Sequence, residues 1–138
     1  MDKTPDSLIG LWNWFAKQIE VCVKTEEELE LEIKKRPEWM KENIVKDRRK
    51  LSINTIVLAY DISVYFGEVL IKNNTHIYCG YLSKPSKLYG VNRPRLLGFA
   101  GDMSVYPYGR VEMCIWKTIE NFDNMHLYNM YHACVKML

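Results

Sequence analysis

The chain has no GxGxxG or Walker-type loop, no CxxC pair, no Cys/His set in a recognised zinc-site form and no uninterrupted apolar run of membrane-spanning length. The first absence removes phosphate binding by a glycine loop, and the second and third remove the strong sequence forms of a zinc site. The most apolar stretch, Ile53 to Ile71, is interrupted by Asn54, Asp61 and Glu68. Glycine and proline are scarce, 7 and 5 of 138 residues, too few for a long disordered linker. Charge of one sign is also lacking. A net charge of +2 gives no general electrostatic case for nucleic acid or an anionic membrane. The opening Met1-Asp2-Lys3-Thr4-Pro5-Asp6 lacks the basic start and apolar run of a secretory signal, so a cytoplasmic protein is expected. The four cysteines are dispersed among apolar neighbours and are expected to be buried free thiols.

What remains is strong periodicity. Leu8, Leu11, Trp12, Phe15, Ile19 and Cys22 recur every three or four residues, predicting a helix from about Pro5 to Lys24. Thr25-Glu26-Glu27-Glu28 fits a capping box, and early glutamates with late Lys34 and Lys35 suit the dipole of a second helix ending at Pro37. A shorter helix restarts at Pro37 and reaches about Arg49. From Ser52 two seams run side by side: Ile53, Val57, Tyr60, Val64, Gly67 and Ile71, then Ile56, Ala59, Ser63, Phe66 and Leu70. A helix apolar over so much of its circumference is expected to be central and buried, with a backbone packed closely on Gly67.

His76 to Leu82 reads as a strand, and Arg95 to Ala100 with Met103 to Val105 as a hairpin turning at Gly101-Asp102. Residues 109–120 fit a helix, although Val111, Met113 and Ile115 also alternate as a strand would. A last helix follows Asp123. These elements predict one domain spanning 1–138, of α+β class, mostly helical, with five or six helices and a small antiparallel β-hairpin sheet.

The run Val64-Tyr65-Phe66-Gly67-Glu68-Val69-Leu70-Ile71, the aromatic strand after it and Tyr106-Pro107 resemble a group of small bacterial helix-plus-hairpin domains of unknown function. Where those domains usually carry a strand tryptophan, this chain has Tyr78 or Tyr81. Some members are encoded near toxin and immunity genes, so the resemblance implies a protein that masks a partner. It carries no catalytic residues across.

Candidate sites follow from residue type and spacing. Arginine and tyrosine are enriched at protein interfaces, which singles out Tyr89, Arg93, Tyr106 and Tyr108 as a surface for a protein partner. Asp61, Tyr65 and Glu68 share one ridge of the central helix and form an alternative polar centre, suited either to acid–base chemistry in a small enzyme or to pairing with arginines such as Arg93, Arg95 or Arg110. The stretch Lys34 to Lys50 is rich in Lys and Arg and offers a nucleic-acid reading, but the glutamates before it favour mutual neutralisation. His126 and His132 point to different sides of one helix, and Cys114 and Cys134 fall on apolar positions, so neither pair suggests a metal or a nucleophile. No cofactor and no metal are expected, and the sequence is silent on oligomeric state. The leading expectation is a non-enzymatic protein-binding module.

Overall fold

The computed structural model describes residues 2–81, 93–101 and 103–138. Among them are six α-helices and two antiparallel two-stranded sheets, a mostly helical α+β arrangement. The chain divides into two compact units, 1–18 with 57–138 and 19–56.

The unit formed by 19–56 buries few apolar side chains and is rich in ion pairs. Strands β1 (Val21–Val23) and β2 (Arg49–Leu51) pair in register Val21 with Leu51 and Val23 with Arg49. Helix α2 (Glu26–Lys35) begins at the capping box expected from the sequence: Thr25 Oγ1 accepts from Glu28 N, and the Glu28 carboxylate accepts from Thr25 N. A 3-10 turn (Glu38–Met40) leads into the short α3 (Lys41–Lys46), and α2 packs on α3. Only Leu29, Ile44 and Leu51 supply buried large aliphatic side chains to this unit. Around them Lys24 pairs with Glu32, Arg48 with Glu26 and Lys50 with Glu28. Trp39 is 76% exposed.

Here the first helix departs from expectation. Helix α1 (Ser7–Ala16) ends eight residues early, because Val21-Cys22-Val23 is a β-branched stretch that pairs with β2. Cys22 fitted the helical period and therefore masked the strand.

The other unit is held by apolar burial. Leu8, Trp12 and Phe15 of α1 are fully buried, and Trp12 Nε1 donates to Thr118 Oγ1 at 3.0 Å. Helix α4 (Ile53–Asn73) supplies Ala59, Ile62, Phe66, Val69 and Leu70 to the same core. Strands β3 (Tyr78–Tyr81) and β4 (Pro94–Leu97) pair antiparallel, Tyr78 opposite Leu97, and Leu96 bridges back to Val105. The Leu96–Val105 bridge falls within the expected hairpin, although Asp102 lies outside the described residues. Gly98 turns the chain at φ +100°, and a Cβ there would overlap the His76 carbonyl oxygen. Residues 109–120 are helical: α5 (Pro107–Glu120) opens on Pro107, and α6 (His126–Val135) packs on α5 and α1.

Three further expectations are corrected. Cys22 and Cys79 are exposed, and only Cys114 and Cys134 are buried. The two seams of α4 are not both core: the Phe66 seam is, whereas Val57 and Val64 of the other are 56% and 62% exposed, with Tyr60 and Ile71 also at the surface. Gly67 faces the Pro107 side chain rather than a backbone, and a Cβ at Gly67 would stand 3.7 Å from Pro107 Cγ, an ordinary contact. By length and composition α4 could also cross a bilayer; 44% of its apolar window is buried inside the fold.

Candidate functional site

The exposed seam of α4 is one wall of a groove. At 100° per residue, the lining residues Tyr60, Val64, Gly67 and Ile71 fall within a sector of about 60°. The opposite wall comes from β3, β4 and the start of α5, with Leu96 and Pro107 contributing apolar surface. Between them lies about 390 Å³, lined almost wholly by carbon. A cavity of this size with few polar groups is the usual form of a binding site.

One end of the groove is polar and firmly built. The Tyr60 ring stacks on Tyr108 with centroids 4.1 Å apart and planes 13° from parallel. Arg93 Nη1 donates to Tyr60 Oη at 2.9 Å and to Tyr106 Oη at 3.3 Å. The Tyr106 hydroxyl hydrogen bond and nearby phenol charge raise the Arg93 pKa, while burial raises that of Tyr106. Arg93 itself stays exposed, so a permanent cation stands at the rim of an apolar channel.

The expected interface residues are therefore partly redistributed. Tyr89 lies outside the described residues. Tyr106 and Tyr108, expected as part of an interface surface, are buried and line the groove, Tyr108 stacked on Tyr60 and Tyr106 accepting from Arg93. Arg93 lies at the surface as expected. Missed altogether were Tyr60, Val64, Ile71 and Cys79, which line the groove. The signal was present: a second full apolar seam is more than one core-facing helix needs.

Of the ridge of Asp61, Tyr65 and Glu68, only Glu68 lines the groove with Arg93, and its ion pair is with Lys3. Asp61 is exposed. Tyr65 Oη accepts from Lys3 N at 3.1 Å and shares a hydrogen bond with Ser7 Oγ at 2.7 Å, and Glu68 pairs with Lys3 Nζ at 3.3 Å. Lys72 Nζ and Asn73 Nδ2 add bonds to the carbonyls of Asp2 and Lys3. Tyr65 and Glu68 thus bind the segment before α1 along one edge of α4. Arg95 turns instead to Ser104, and Arg110 to the Met137 sulfur.

In the basic stretch, Arg49 Nε and Nη2 both meet Asp47, which lowers that carboxyl from 3.8 to about 2. Lys50 likewise holds Glu28 below its ordinary value. Arg48 is engaged by Glu26, so the Arg48-Arg49-Lys50 triplet is largely neutralised by its neighbours. No group of three or more His, Cys, Asp or Glu that could hold a metal occurs among the described residues. Burial pushes the Cys114 thiol up to about 12 and that of Cys134 upward, which suppresses the thiolate that nucleophilic chemistry needs.

Comparison of the chain with protein-family models, curated proteins and solved structures finds no match in any of the three.

Proposed function

We propose that this chain is a non-enzymatic protein-binding module whose α4 groove receives an apolar segment of a partner protein. The observation that carries the reading is the pairing of an exposed apolar seam with an opposing wall across a groove, because exposed apolar surface of this kind costs solubility unless something covers it. Masking a toxin, as the resemblance implies, would be one use of such a groove. A cytoplasmic setting suits it, since Cys22 and Cys79 are surface thiols that a reducing compartment keeps unpaired.

Cys79 provides the test. It lines the groove, whereas Cys22 is equally exposed in the 19–56 unit. Wild type and Val64→Lys serve as parallel baits in extracts of the source cell, and any protein kept by the first and lost by the second is purified and titrated back. The reading expects that partner to slow maleimide labelling of Cys79 while Cys22 reacts unchanged. Identical captures by both baits, or a partner that leaves Cys79 fully reactive, would overturn it.

A further inference from the structure

Resting on the reading above, we infer that the occupant of the groove is an amphipathic helix of a partner protein, its apolar face laid along Tyr60 to Ile71 and a carboxylate on its flank set against Arg93.

Length is the first argument. Along the groove the seam runs 11 residues from Tyr60 to Ile71, about 17 Å at 1.5 Å per residue, or roughly three helical turns. A strip that long and narrow matches the i, i+3, i+4, i+7 anchors of a helix lying in a groove. A compact ligand would leave much of it bare.

Shape is the second. The seam does not stand proud; it forms one side of a hollow closed by Leu96 and Pro107. Two copies of this chain related by a twofold axis would oppose the same face to itself. Hollow would then meet hollow. A helix from elsewhere is convex and fills the space.

Charge is the third and sets the partner's chemistry. The wall beside Tyr60 and Tyr106 presents the Arg93 guanidinium, fixed by two phenol hydroxyls. Across the seam from Tyr60, Asp61 and Glu68 share their flank of α4 with exposed Lys72 and with Lys3, which pairs with Glu68, so that flank carries both signs. A helix with an acidic residue on the Arg93 side satisfies the cation there, so charge bears on the choice of partner.

The experiment uses a displayed library of helical peptides with leucines fixed at i, i+3 and i+7 and the flanking positions randomised. It is selected on the full wild-type chain and counter-selected on Val64→Lys. Enrichment of Asp or Glu at one flanking position is expected. Such a peptide should bind Arg93→Glu at least about tenfold more weakly, and a lysine in place of its acid should restore binding to that variant. Arg93→Gln controls for damage to the tyrosine cluster: it should weaken the acidic peptide without favouring the lysine one, with an unchanged melting curve. Selected peptides that bind wild type and Arg93→Glu equally would overturn the acidic-helix inference. If those same peptides still need Val64 and protect Cys79, the groove reading survives. A selection yielding nothing that distinguishes wild type from Val64→Lys would remove both. Concentration-dependent dimerisation in sedimentation, abolished by Val64→Lys, would put a second copy in the groove and likewise overturn the inference.

Discussion

The two units of this chain reach order by different routes. Residues 1–18 and 57–138 bury Trp12, Phe15, Phe66, Leu70, Ile115 and Leu127 completely, while 19–56 buries three aliphatic side chains and surrounds them with ion pairs. Buried carbon is non-directional and accumulates with area; exposed ion pairs contribute little each and weaken in salt. The apolar unit should therefore tolerate surface change and fail on cavities, and the charged unit should respond to solvent conditions.

The largest effect expected is from Phe66→Ala, which empties a fully buried ring site and should cost about 4 kcal/mol in denaturant unfolding. Gly98→Ala comes next: the positive φ and the His76 carbonyl leave no room for a Cβ, so a loss of about 3 kcal/mol is expected. In the charged unit, Leu29→Ala should cost about 2 kcal/mol, less than Phe66→Ala because its surroundings can collapse more easily. A larger loss there than at Phe66 would break the comparison.

Val64→Asp sharpens it from the other side. Although α4 reads as the central apolar helix, Val64 is exposed, and the substitution should shift stability by no more than about 0.5 kcal/mol. Unfolding would show that this seam is core after all.

The smallest effect expected is from acid on 19–56. Asp47 sits at about 2 in the folded chain against an ordinary 3.8, so its contribution is present above 3.8 and is lost as pH falls through that value toward 2. Glu28 is held below 4.5 by Lys50 and acts in the same direction. A thermal scan of this unit between pH 6 and pH 2 should show a modest decline that about 1 M salt reduces, because these groups are solvent-exposed.

Local chemistry made much of the fold legible. The capping box at Thr25 and Glu28, the long α4 and the helix opened by Pro107 all depend on residues adjacent in sequence. Strand β1 was hidden because Cys22 satisfied a helical period, and its identity depends on pairing with Lys50, 28 positions away. The site was harder still. Apolar spacing shows that two seams of α4 avoid water, but which one finds a core depends on where α1, α5 and the sheet pack. The contact of Arg93 with Tyr60 spans 33 residues and leaves no local signature. Tyr106 and Tyr108 have interface chemistry, yet both are buried, Tyr108 by stacking on Tyr60 and Tyr106 beside the Arg93 hydrogen bond.

The placement of the tryptophans gives each unit its own optical signature. Trp39 is the one indole in 19–56 and stands in water, so it should emit at long wavelength and be quenched readily by iodide. Trp12, enclosed in carbon with its N–H on Thr118, should emit to the blue and resist quenching. Subtracting the spectrum of Trp39→Phe from wild type leaves a signal from the charged unit alone. Whether the two units melt together or in sequence can then be followed in one cuvette, with no label attached to either.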